Sequence, residues 1–120
     1  MKKSLTKAER LKSSSEIRRV FSSKCKVKVP GLAIYCAEND LRYNRIGVTF
    51  VKGYGNSVQR NRARRIIKEI YRNRKAELNQ GFDIMIVVHP GMDRYSERER
   101  QMISLFQKAG IFAAGTRHSL

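Results

Sequence analysis

Residues 52–75 read KGYGNSVQRNRARRIIKEIYRNRK, and the fold and the function both turn on this stretch. Gly53 and Gly55 give it a flexible approach, and Asn56 or Ser57 supplies an N-cap before apolar residues recur at helical spacing. A rotation of about 100° per residue gathers Ala63, Ile66, Ile67, Ile70 and Tyr71 into one stripe. The same rotation sends Asn61, Arg64, Arg65, Lys68, Arg72 and Lys75 to the opposite side. One face is made for burial, and the other holds cations out to a partner.

Cations on a helix surface are usually interleaved with glutamates four residues away, which makes a solvated face and nothing more. Here Glu69 is the sole acid in the stretch. Like charges left together cost stability, so the missing negative charge points to a polyanion.

The whole chain repeats the message. Its 120 residues suffice for one domain, and 26 basic against 10 acidic residues leave a net charge of +16. That balance favours a nucleic acid or an anionic membrane. No apolar run approaches the roughly 18 residues of a membrane span, and the charged start MKKSLTKAERLKSSS lacks the apolar centre of a secretory signal. A cytoplasmic protein that does not enter membranes is the expectation. Cys25 and Cys36 are too few for a disulfide framework or a metal cluster, and both read as small apolar residues.

Around the basic helix the chain alternates helix and strand. Residues 1–12 are basic without apolar pattern and are expected as a mobile tail, as are residues 111–120, with Ile111 and Phe112 as docking points. Ser13 and Glu16 have capping-box spacing ahead of a short helix to about residue 22, with Ile17, Val20 and Phe21 on one side. Residues 24–29 and 32–37 form a hairpin about Pro30-Gly31. A two-residue loop opposes Val29 to Leu32, Val27 to Ile34 and Cys25 to Cys36 on one face, with Lys26 opposite Tyr35 and Lys28 opposite Ala33 on the other. Pro-Gly favours a type II turn, which a tight hairpin ordinarily avoids, so a looser loop is the alternative. Residues 45–51 and 82–88 are two further strands. Ser96 and Glu99 again have capping-box spacing before a helix to about residue 108, which Gly110 stops. The sum is one α+β domain, a two-layer sandwich of a four-stranded mixed sheet and about three helices, with a βαβ crossover through the basic helix.

The order Lys52, Gly55-Asn56-Ser57-Val58, Arg60-Asn61-Arg62, Arg64-Arg65, Lys68-Glu69 closely resembles the signature of the bacterial ribonuclease P protein subunit. The match is dense over about twenty residues and extends more weakly from residues 10–21 to the last helix. The resemblance implies a left-handed crossover where ordinary rules favour a right-handed one. It also implies a single RNA-binding domain that joins a catalytic RNA, one protein per RNA, in an endoribonuclease removing the 5′ leader of precursor transfer RNA. In that reading the RNA-binding residues are Arg60, Asn61, Arg62, Arg64, Arg65, Lys68 and Arg72. The leader-binding residues are Ile17, Phe21, Lys26, Lys28, Tyr35 and Lys52. Ile17 stands where the family commonly has an aromatic residue, and Gly53 where it commonly has a basic one.

The residues themselves offer little independent catalytic chemistry. His89 and His118 are isolated, Asp40, Asp83 and Asp93 are widely spaced, and no Asp-x-Asp, His-x-x-x-His or Cys-x-x-Cys occurs. The expectation is no catalytic residue, no metal site and no cofactor held by the protein alone, with Mg2+ belonging to the RNA–protein holoenzyme. A basic ribosomal protein explains the charge but not the ordered Gly-Asn-Ser-Val to Arg-Asn-Arg series. A DNA-binding regulator would need a partner helix where strands stand instead.

Overall fold

The computed structural model describes residues 6–91 and 93–113. Its elements are α1 (Ser14–Phe21), β1 (Cys25–Val29), β2 (Leu32–Glu38), β3 (Arg45–Phe50), α2 (Ser57–Arg74), β4 (Phe82–Val88) and α3 (Tyr95–Ala109). They make the α+β arrangement expected from the sequence, a four-stranded mixed sheet with three helices. The strand order is β1-β2-β4-β3, with β1–β2 and β2–β4 antiparallel and β3–β4 parallel. Because β3 and β4 are parallel neighbours, the chain must cross over between them, and α2 is that crossover.

Strand alternation sorts the sheet into two faces. Val27, Ile34, Ile86 and Val48 form one row across it, and Val29, Leu32, Val88 and Phe50 the next. These rows face the main core, which α2 and α3 close with Ile67, Ile70, Tyr71, Met102, Leu105 and Phe106. Lys26, Tyr35, Met85 and Gly47 form a row on the other face. Among the described residues it is covered by α1 and Leu11, with Val20, Leu11 and Met85 forming a small second core against which Ile17, Tyr35 and Ala37 pack.

The hairpin register is the one the alternation dictates, Cys25 opposite Cys36 through Val29 opposite Leu32, and the loop is two residues after all. Gly31 takes φ +93°, the positive angle that a Pro-Gly turn of type II requires. The turn is tolerated because its carbonyls are held from outside: Gln101 donates to Pro30, and Arg98 and the His89 amide donate to Gly31. Both cysteines are free thiols, and burial pushes the Cys36 thiol up, with Cys25 adding to the effect.

Two sequence expectations need correction. Residues 7–11 do not trail off: Lys7–Glu9 is a 3-10 turn, Arg10 bridges to Ile46, and Leu11 is buried against the open edge of β3. Burying a leucine side chain contributes about 1.5–3 kcal/mol, which offsets the cost of ordering this segment. Gly47 makes room for it, since a Cβ there would stand 2.4 Å from Met85 Sδ and 3.4 Å from Leu11 Cβ. At the other end Ile111 is buried and Phe112 bridges to Leu78, the docking expected of those two residues. The expected tails beyond them, residues 1–5 and 114–120 with His118, lie outside the described residues.

The second correction concerns caps. Ser13 does cap α1, accepting from the Glu16 amide, but the Glu16 carboxylate reaches across to Arg45. Ser96 caps nothing, because α3 already starts at Tyr95 and Glu99 is drawn off to Arg74. Arg98, one more charge in the last helix by its sequence, is buried completely by the fold, at 0% exposure. Its guanidinium donates to Gly31 O at 2.9 Å, His89 O at 3.1 Å and Asp93 Oδ1 at 2.8 Å. One side chain thus ties together the hairpin turn, the end of β4 and the approach to α3.

Candidate nucleic-acid interface

Helix α2 begins as its sequence requires. Asn56 Oδ1 accepts from the Gln59 amide at 2.9 Å, and Gln59 Oε1 accepts in return from the Asn56 amide at 3.0 Å. Ala63, Ile67, Ile70 and Tyr71 are buried as the stripe predicts, with Ile66 half-buried beside them. The first turn carries no acid, although a helix N-terminus is the positive end of the macrodipole. Arginines there raise the local potential further, a poor choice for an isolated helix and a good one for holding phosphate.

The cations of α2, with Lys75 just beyond its end, fall into two groups. Arg72 pairs with Glu69, Arg74 with Glu77 and Glu99, and Lys75 with Glu9. The C-terminal part of the helix is therefore neutralised from within. No ion pair to a described acid is made by Arg60, Arg62, Arg64, Arg65 or Lys68. The unneutralised charge is concentrated in the N-terminal half. Arg72, expected among the RNA contacts, stands outside that set.

Arg60, Asn61 and Arg64 face the β3 side and, with Val48, Thr49, Phe50 and Ser57, line an open groove of about 300 Å³. Arg64 lies over the Phe50 ring at 5.1 Å from its centroid, and its Nη1 donates to Asn61 Oδ1 at 2.9 Å. Lys68 continues the row. Burial holds its ammonium below the usual lysine range, and the charges of Arg10 and Arg64 push the same way. Arg10 thereby joins the cluster. Nothing but its charge marks Arg10 in the sequence, because its place depends on the segment that bridges to Ile46 beside β3. Arg62 and Arg65 lie on the opposite flank, toward α3.

On the far face of the sheet a second cluster forms. Phe21 and Tyr35 meet edge to face with centroids 4.8 Å apart, and Lys26 Nζ lies 5.3 Å from the Tyr35 centroid. Lys28 is on the same face one row along, with Ala33, Val87 and Thr49. Ile17 is half-buried and packs against the same small core of Leu11, Val20 and Met85 as Tyr35 does. Lys52 is not brought to this cluster. It follows β3, two strands across from Tyr35 and five residues beyond Gly47, which at about 3.3 Å per residue is about 16 Å along the sheet.

A buried carboxylate positions this cluster. Asp83, at 0% exposure, accepts from Arg45 Nε and Nη2, from Asn39 Nδ2 and from Arg19 Nη2 at 2.7–2.9 Å. Burial would raise its pKa, but the hydrogen bonds of Arg45 and Asn39 and the nearby guanidinium charges hold it below the usual carboxylate value. Arg19 belongs to α1, so the pair fixes the helix that presents Phe21. Among the described residues no three His, Cys, Asp or Glu side chains converge on a metal site, and no helix is long and apolar enough to cross a membrane.

The sheet, its two unequal faces and a crossover helix with unpaired arginines define a basic α+β protein built to meet a polyanion. A family profile described as Ribonuclease P matches residues 5–110. The ribonuclease P protein component of Alkaliphilus metalliredigens is 35% identical over 106 residues, spanning 87% of this chain and 96% of that protein. That of Clostridium botulinum (strain Loch Maree / Type A3) is 33% identical over 109 residues, spanning 88% and 98%. The fold is shared with solved structures: the Staphylococcus aureus RNase P protein has a TM-score of 0.80 at 22% identity, covering 89% of this chain and 100% of that one. The Thermotoga maritima protein has a TM-score of 0.75 at 20% identity, covering 83% and 96%. The chain belongs to the bacterial ribonuclease P protein component family. It is therefore the protein part of a ribonucleoprotein endoribonuclease of transfer RNA processing, and ribonuclease P RNA is its partner.

Proposed function

We propose that the protein works through two surfaces. The N-terminal half of α2 anchors ribonuclease P RNA through the phosphates met by Arg60, Arg62, Arg64, Arg65 and Lys68, with Arg10 beside them. Asn61 acts by bracing Arg64, and Arg72, already paired with Glu69, contributes least. The face carrying Phe21, Tyr35, Lys26 and Lys28 receives the single-stranded 5′ leader of precursor transfer RNA. There the aromatic rings take a base and the lysines take phosphates. Lys52 meets the leader at a point remote from the rings. By holding the leader the protein favours precursor over mature transfer RNA, while the RNA performs the cleavage with magnesium ions that it holds itself. One protein serves each RNA, in the cytoplasm.

The observation that carries this reading is the split between an unneutralised basic helix and an aromatic–lysine cluster on the opposite face of the sheet. Salt dependence tests the first half. Neutralising about six phosphates gives a slope of log affinity against log salt of roughly −4 to −5. A slope near zero would remove the electrostatic anchor.

A further inference from the structure

The flank of α2 away from β3 carries a second open groove, of about 690 Å³, between α2 and the start of α3. Its cations are Arg62 and Arg65 of α2 and Arg94 just ahead of α3. Two carboxylates also line it, and both are already neutralised: Glu69 is paired with Arg72, and Asp93 with the buried Arg98. No described acid is ion-paired with Arg62, Arg65 or Arg94, so the groove keeps uncompensated positive charge. Between these cations lies apolar surface. Ile66 is half-buried, and Tyr95 is 37% exposed. The Tyr95 hydroxyl accepts from Asn73 Nδ2 of α2 at 2.9 Å, which fastens the ring's polar end and holds the ring in place.

We propose that this groove takes an unpaired nucleotide of the RNA partner, its base against Tyr95 and Ile66 and the adjoining phosphates on Arg62, Arg65 and Arg94. Base stacking on an aromatic side chain needs a free base face, which a duplex does not offer. A duplex would use the arginines and leave the tyrosine ring in water. An acidic peptide would do the same. The inference rests on α2 as the anchor for ribonuclease P RNA and adds to it a second flank and a base contact.

Binding of the full chain to ribonuclease P RNA across a salt series tests it, using Tyr95→Phe, Tyr95→Ala and Arg94→Ala. Tyr95→Ala loses about fivefold or more in affinity with its salt slope unchanged, and Tyr95→Phe stays within about twofold of wild type. Arg94→Ala lowers the slope by about 0.7–0.9, the share of one phosphate. Both side chains are exposed, so neither change removes core. Wild-type affinity in Tyr95→Ala with a wild-type slope in Arg94→Ala overturns the groove and leaves α2 as the anchor. Equal losses in Tyr95→Phe and Tyr95→Ala also overturn it, by placing the effect in the Asn73 hydrogen bond. A wild-type protein that does not bind the RNA overturns the anchor and this inference together.

Discussion

Asn61 Oδ1 accepts from Arg64 Nη1 at 2.9 Å, and the same guanidinium rests on the Phe50 ring. An uncharged residue therefore fixes the direction of a charged one. Asn61→Ala is expected to weaken binding of ribonuclease P RNA by about 1 kcal/mol, the worth of one such hydrogen bond, without altering the salt slope. Arg64→Ala should weaken it further and reduce the slope by about one phosphate. Filter binding at several salt concentrations separates these effects, and a slope change in Asn61→Ala would mean that the asparagine is not acting through Arg64.

The Phe21–Tyr35 contact leads to a prediction of a different kind. Tyr35→Ala should weaken binding of leader-bearing precursor to the assembled ribonucleoprotein by about 1–3 kcal/mol. Mature transfer RNA should bind as before. Arg65→Ala should instead weaken assembly with the RNA component. If both variants show the same defect, the division into two surfaces is wrong.

Asp83 couples acidity to the leader face. Its carboxyl lies below its ordinary value, so its stabilising contribution is fully present above about pH 4 and is lost as pH falls through the folded value. Asp83→Asn should cost about 3 kcal/mol at neutral pH, since it leaves Arg45 without its buried partner. The variant should also lose less stability than wild type on acidification. Because Arg19 is released too, α1 should loosen and precursor discrimination should fall with it. Urea unfolding from pH 3 to 7 reads the first effect, and parallel acid profiles for both proteins would contradict it.

Legibility in the sequence followed the range of the interactions. The hairpin register was readable because alternation from Lys26 to Val29 and from Leu32 to Tyr35 leaves one pairing that keeps apolar residues together. The α2 stripe was readable for the same local reason. Arg98 was not: its acceptors, Gly31, His89 and Asp93, come from separate turns that only the fold assembles. Nor was the pairing of Lys75 with Glu9 or of Arg74 with Glu99. Those distant acids decide which cations of α2 stay free, so the basic face was legible in outline and its division in two was not. Ser96 and Glu99 show the converse error, a local capping pattern overruled by Arg74.

The central claim is that this protein promotes leader removal through an RNA anchor on α2. The most direct measurement is 5′ processing of a precursor transfer RNA by ribonuclease P RNA at low magnesium, with and without the protein. Strong stimulation by wild type, abolished when Arg62, Arg65 and Lys68 are all changed to Ala, is the expected result. No stimulation by a wild-type protein that still binds RNA, or full stimulation by the triple variant, would contradict it.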